Sequence, residues 1–276
     1  MTAADKSILL IGESDVGKTH YGAQLLQRLQ KGDGQLRMNG AASNLKPFEE
    51  ALAALNEGLS ADHTPVAVYE DSIWPIADKA GREANLVWPD YGGEQVKAMT
   101  SLRRIPDDWQ ARARTSNAWL LLVRLERVIS GDDIFSRPLA TLGEEPKENG
   151  EVHLSDQARL IELLQMLRFA GGVTARSTDR PTLCVLLTCW DELQLDGAPA
   201  EELNSRLPML AAFIRANWRA PIILGLSALG RTLDKKKADK EYARRGPDEF
   251  GFVVMQDGTR TTDLTSPIEM LISSFN

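Results

Sequence analysis

The chain has 276 residues, 43% of them hydrophobic and 26% charged, with a net charge of −7 at neutral pH. That length makes one large domain or two small ones, and the acidic balance argues against a main role in non-specific nucleic-acid binding. Its two cysteines, Cys184 and Cys189, share one apolar run, so neither a disulfide framework nor a zinc site follows and a reducing compartment is the default. The apolar runs fall far short of the ~20 residues that span a bilayer. The first of them, residues 8–11, is too short for a signal-peptide core. The expected location is the cytoplasm, with no membrane insertion.

The predicted elements alternate between strand and helix, with no internal repeat. Residues 7–11 read as a short apolar strand, followed by a glycine loop and a helix over 18–30 with Leu25, Leu26 and Leu29 on one face. Residues 47–59 show helical spacing through Phe48, Leu52, Leu55 and Leu59 after a proline start. Residues 65–77 and 84–88 are strand-like, and the link at 78–82, Asp-Lys-Ala-Gly-Arg, reads as a hairpin turn. Residues 119–125 form a continuous apolar strand interrupted by Arg124. Residues 130–153, rich in Gly, Pro and charge, read as an exposed insertion. A helix follows over 154–170, with Leu160, Leu163, Leu164 and Leu167 on its apolar face. Residues 182–188 and 221–226 are uniformly apolar rather than alternating, as strands of a parallel sheet covered on both faces must be. A short helix over 267–275 closes the chain. This order predicts an α/β fold in one domain, residues 1–276: a mostly parallel sheet flanked by helices with one antiparallel hairpin edge.

The strongest chemical signal is Gly12-Glu13-Ser14-Asp15-Val16-Gly17-Lys18-Thr19, which satisfies G-x-x-x-x-G-K-[ST] with a strand before it and a helix after it. Gly12 and Gly17 let successive backbone N–H groups converge on an anion, and the helix N-terminus adds partial positive charge. Lys18 would reach the β- and γ-phosphates and the Thr19 hydroxyl would ligate Mg²⁺. His20 belongs to the same nucleotide-facing segment, but its own role reads as packing or capping, like that of His63, because no carboxylate partner is placed by spacing.

Three further segments follow predicted strands. In Trp88-Pro89-Asp90-Tyr91-Gly92-Gly93-Glu94-Gln95 a carboxylate precedes a glycine by three residues, so Asp90 would hold the Mg²⁺ shell and the Gly93 N–H would meet the γ-phosphate. In Thr188-Cys189-Trp190-Asp191, Asp191 would accept hydrogen bonds from the guanine ring N–H and exocyclic amine. The backbone of Ser227-Ala228-Leu229 would contact the guanine carbonyl. Each is weak alone, but they come in the right order at successive strand ends. Lys235, Lys236 and Lys237, interleaved with acids, read as a solvated face, and Trp74, Trp88 and Trp109 as core or switch-packing groups.

Across residues 8–229 these segments resemble the Ras-like, translation-factor-type branch of P-loop GTPases. Their wording, together with Arg104-Ile105-Pro106, Trp109 and Phe252-Val253-Val254, is similar to the bacterial double-GTPase domains of conflict or defence systems. The resemblance implies a GTP/GDP-binding, Mg²⁺-dependent switch. It makes Lys18, Thr64, Gly93 and Glu94 the catalytic group and Thr19, Thr64 and Asp90 the metal ligands, with Thr64 sensing the γ-phosphate. It also implies an effector or activating protein partner, with a homodimer or oligomer open. Three features depart from the family pattern. Thr188 and Cys189 stand where Asn-Lys is usual, with Thr188 expected to serve as the polar tether. Glu94 stands where a water-orienting Gln is usual, which implies slow unaided hydrolysis, and Arg103, Arg104 and Arg124 are arginine-finger candidates by proximity alone. The longer link from Lys18 to Asp90 leaves room for the helix at 47–59. Asp15 stands where cation-dependent GTPases carry Asn, which raises K⁺ as a further cofactor. The alternatives are a P-loop ATPase and a GTP-loaded assembly module that barely hydrolyses.

Overall fold

The computed structural model describes residues 6–61, 71–89, 94–127, 155–173, 181–194 and 196–275, with only the backbone of Glu94. Strand β1 (Ser7–Gly12) runs into α1 (Lys18–Lys31), which is bounded by Gly17 and Gly32 in left-handed conformations. A short β2 (Leu36–Met38) and α2 (Lys46–Asn56) follow; Gly58, at φ +74°, turns the chain away two residues after α2 ends. Strands β3 (Ser72–Asp78) and β4 (Glu83–Trp88) form the expected antiparallel hairpin, whose turn is held by the Arg82 N–H on Asp78 Oδ1 at 2.8 Å. Helices α3 (Glu94–Leu102) and α4 (Asp107–Thr115) lead to β5 (Ala118–Val123), and Arg124 ends that strand before a 3₁₀ turn at Leu125–Arg127.

Helix α5 (Asp156–Ala170) starts at Ser155, whose hydroxyl accepts from the Ala158 N–H. Beyond it come β6 (Thr182–Thr188), a single turn α6 (Trp190–Leu193), and α7 (Pro199–Arg206) and α8 (Pro208–Asn217), each opened by a proline. The chain finishes with β7 (Ile222–Ser227), α9 (Lys240–Arg245), β8 (Phe252–Val254), β9 (Arg260–Thr261) and α10 (Ser266–Ser273).

Among the described residues nine strands join one sheet in the order β2-β3-β4-β1-β5-β6-β7-β8-β9. The central five, β4 to β7, are parallel. The expected antiparallel edge is β2-β3-β4, and a second one, β8-β9, lies at the opposite side. Strands of three and two residues are too short to leave a readable alternation in the sequence, so the second edge was not foreseen. Of the strand expected at 65–77, residues 72–77 lie in β3, and residues 65–70 lie outside the described residues, as does the expected insertion at 130–153.

The uniform burial of the central strands divides by alternation. Leu9, Ile11, Trp119, Leu121, Leu183 and Val185 point to one face, where Val96, Trp109, Leu163, Leu167 and Ile214 of α3, α4, α5 and α8 cover them. Ile8, Leu10, Leu120, Leu122, Cys184 and Leu186 point to the other, under α1, α2 and α10. There Phe48, Trp74 and Trp88 cluster with ring centroids about 5 Å apart, binding α2 to the hairpin. Covering both faces leaves the carboxyl ends of the parallel strands as the open side of the sheet. Among the described residues no helix is long and apolar enough to cross a membrane.

Candidate nucleotide-binding site

Gly12 ends β1 at a point where a Cβ would lie 2.9 Å from Val16 Cγ2 and 3.3 Å from Leu122 Cβ, so the curled loop leaves no room for a side chain. Asp15 (φ 63°) and Gly17 (φ 82°) both take left-handed backbone, which turns the loop into the start of α1. No side chain caps α1, so the first-turn N–H groups that follow the loop keep their dipole for an anion. The Lys18 ammonium folds back over the loop and donates to the carbonyls of Gly12 (2.9 Å) and Glu13. Burial lowers its pKa from 10.5 to about 8, against the opposing pull of the Glu13 and Asp15 carboxylates. Thr19 follows in the first turn of α1.

Both acids of the loop meet arginines from distant segments. Arg159 of α5 holds Glu13 through Nε (2.5 Å) and Nη2 (2.7 Å), and also pairs with Asp156. Arg127 Nη1 lies 3.3 Å from Asp15 Oδ2, while Arg124 Nη1 donates to the Asp15 carbonyl at 3.1 Å. Arg124 also grips Glu192 of α6 with its Nε and Nη2. It therefore links the loop to the segment after β6.

At that end Cys189 adopts φ 55° and its Sγ lies 3.8 Å from where a Cβ on Gly17 would be, bringing the end of β6 against the loop. Burial pushes the Cys189 thiol up to about 12, outweighing the nearby Arg124 charge. Asp191 Oδ1 accepts from the Ser227 hydroxyl at 2.6 Å, and Ser227 Oγ accepts from the Gly230 N–H at 2.9 Å. The Trp190 indole fills the space over Gly225, where a Cβ would be only 2.6 Å from Cε3. Ala228 and Leu229 continue from β7, half-buried.

The structure thus brings residues 12–19, 188–191 and 227–229 together at the ends of β1, β6 and β7. Among the described residues the Thr188 hydroxyl, expected as the polar tether, is buried with no hydrogen-bond partner, because a hydroxyl on Cβ lacks the reach of an Asn amide. Arg124, expected only as a finger candidate, makes the tether instead. His20 is turned toward the segment after α2, where Nε2 accepts from the Ala61 N–H at 3.1 Å and lies 3.2 Å from Ser60 Oγ. Arg103 is engaged with Glu162 of α5 at 2.8 Å. Thr64, Asp90, Gly93 and the side chain of Glu94 lie outside the described residues, as does His63. Sequence reasoning missed Arg127, Arg159 and Glu192. Its available signal was two acids inside an anion-binding loop, which call for counter-cations without saying where they come from.

Residues 9–271 match the family model described as Double-GTPase 1. The chain belongs to the Double-GTPase 1 family. By its description the family is one of GTPases, in keeping with the mostly parallel sheet and the phosphate loop of this chain. Among curated proteins none matches this Double-GTPase 1 chain. Among solved structures it is similar to a bacterial selenocysteine-specific elongation factor EF-Sec, at 14% identity and TM-score 0.44, over 99% of this chain and 30% of that one. It is also similar to the S. cerevisiae Ski7 GTPase-like domain bound to GTP, at 10% identity and TM-score 0.41, over 77% and 40% of the two chains. A third is the signal recognition particle receptor SRb-GTP/SRX complex from Chaetomium thermophilum, at 14% identity and TM-score 0.39, over 88% and 97%. The chain spans 30% and 40% of the first two structures' lengths. At these identities and scores no residue role carries over from them.

Proposed function

We propose that this chain is a GTP-driven switch, working in the cytoplasm as one domain, whose turnover is set by a protein partner. Gly12 to Thr19 would cradle the phosphates with Lys18 as their main counter-charge. Asp191, Ser227, Ala228 and Leu229 would read guanine, beside Thr188 and Cys189. The observation that carries this reading is the Ser227–Asp191 hydrogen bond. It holds the carboxylate with Oδ1 occupied and Oδ2 without a partner among the described residues, at the strand end beside the phosphate loop. A rigid acceptor in that place suits the donor pair of guanine, and adenine presents no such pair on that edge.

Mg²⁺ belongs to the same proposal. The Thr19 hydroxyl with the Asp90 and Thr64 oxygens would supply hard donors, and Mg²⁺ takes one or two protein oxygens and fills the rest with phosphate and water. It would neutralise charge on the phosphates during transfer. With Glu94 in place of a neutral amide, unaided turnover is expected at ~10⁻⁴ to 10⁻² s⁻¹, rising when a partner supplies a cation. The resemblance to conflict-system domains supports a bacterial defence setting for that partner.

The test is to identify the nucleotide released from the purified protein and to compete GTP against ATP. Guanine nucleotide, an advantage for GTP of at least about tenfold, and a shift of Asp191→Asn toward xanthosine triphosphate are expected. Adenine nucleotide, or equal affinities, would replace this reading with the ATP-using one.

A further inference from the structure

A phosphate loop is an anion receptor, yet this one carries Glu13 and Asp15. A carboxylate beside a polyphosphate opposes binding, and the opposition grows with each added phosphate. The fold compensates the two acids differently. Glu13 is nearly out of solvent and locked to Arg159 by two hydrogen bonds. Asp15 keeps 41% of its side chain exposed, and Arg127, which engages it through one nitrogen, keeps 56%. Arg124 is close, but its Nε and Nη2 are taken by Glu192 and its remaining contact is with the Asp15 carbonyl, not the carboxylate.

The placement of Arg127 is built in. Strand β5 lies beside β1 with Gly12 opposite Leu122, so the end of β5 runs along the start of the loop. Leu125 is buried and anchors the 3₁₀ turn, which presents Arg127 to Asp15. The guanidinium offers five donors, of which Asp15 engages one.

We propose that Arg127 is a counter-cation of the phosphate site: it helps to neutralise Asp15 beneath a bound triphosphate and takes the place of a monovalent ion such as K⁺ at that loop position. It is a positioning residue that acts through Asp15, and the inference rests on the GTP-binding reading above. Nucleotide binding and hydrolysis by the intact chain are then indifferent to whether Na⁺ or K⁺ is present.

Fluorescent GTP and GDP binding and single-turnover GTP hydrolysis, in matched NaCl and KCl buffers, test this. The wild type should behave alike in both salts. Arg127→Ala should weaken GTP more than GDP, by up to about fivefold for the loss of one half-exposed charged partner. K⁺ or millimolar guanidinium ion should restore part of that loss, and Arg127→Lys should retain part of it. Adding Asp15→Ala to Arg127→Ala should restore GTP affinity without either cation. Three results would overturn the inference: an unaffected Arg127→Ala protein, a defect that neither added cation nor Asp15→Ala relieves, or a wild type that needs K⁺. A wild type that binds no GTP would overturn the function proposed above, and this inference with it.

Discussion

Arg159 of α5 meets Glu13 of the phosphate loop with Nε at 2.5 Å and Nη2 at 2.7 Å, across 146 residues of sequence. The pair fastens the loop to the helix that covers the β5-β6 side of the sheet. Glu13 is 8% exposed, so its charge depends on that guanidinium.

Arg159→Ala should therefore destabilise the fold by about 2 to 3 kcal/mol. That lies below the range for a fully buried pair because Arg159 keeps 24% of its side chain in solvent. Glu13→Gln in the same chain should recover most of the loss by removing the stranded charge. Chemical denaturation of the three variants measures this, and additive losses would show that the pair is not the source.

Arg124, not Thr188, holds the loop to the segment after β6. Arg124→Ala should weaken GTP and GDP to the same extent, because what it removes is the bridge that fastens the loop to α6. Thr188→Val should leave both affinities unchanged. It should also raise the stability of the nucleotide-free protein by up to about 1 kcal/mol, since it removes a buried hydroxyl with no partner among the described residues. A large loss of affinity in Thr188→Val would restore the hydroxyl as the tether.

Gly225→Ala would place a methyl 2.6 Å from Trp190 Cε3 and 2.7 Å from Cδ2. Overpacking of that kind costs about 1 to 3 kcal/mol, and because Asp191 follows Trp190 the shift should also weaken nucleotide binding. Thermal melts and binding isotherms are the readouts. Trp190→Leu in the same background should cost less than the sum of the single changes, and strict additivity would count against the packing argument.

Lys18 makes binding pH-dependent. Its pKa in the nucleotide-free fold is lowered to about 8 from 10.5, so between those values the unfolded chain holds a proton that the folded one has released. The stability of the nucleotide-free fold should rise across that window. A triphosphate needs the ammonium, so GTP affinity should fall above pH 8 by up to about tenfold per pH unit, with proton uptake on binding. Titrations from about pH 7 to about pH 9.5 check the slope, and a flat profile would mean that Lys18 is not the charge that meets the phosphates.

Helices α3, α4, α7 and α8 left little trace in the apolar pattern, each being eight to ten residues long. Helix α4, Asp107–Thr115, buries only Trp109 and Ala113, too few positions to set a period. Helix α5 was legible because Leu160, Leu163, Leu164 and Leu167 repeat the spacing. The central strands were legible for a similar reason: burial on both faces demands unbroken apolar runs.

By itself the sequence determined the anion loop, since eight consecutive residues carry both glycines, the lysine and the hydroxyl, and backbone conformation is a local property. It also determined the parallel core and the order in which Asp191 and Ser227 arrive at strand ends. Tertiary structure alone decided how the acids of the loop are balanced. Glu13 with Arg159, Asp15 with Arg127, and the Arg124 bridge to Glu192 join residues 68 to 146 positions apart. Such pairs leave no periodic signal, because charge compensation acts through space and depends on which helix end and which strand end the closed sheet sets side by side.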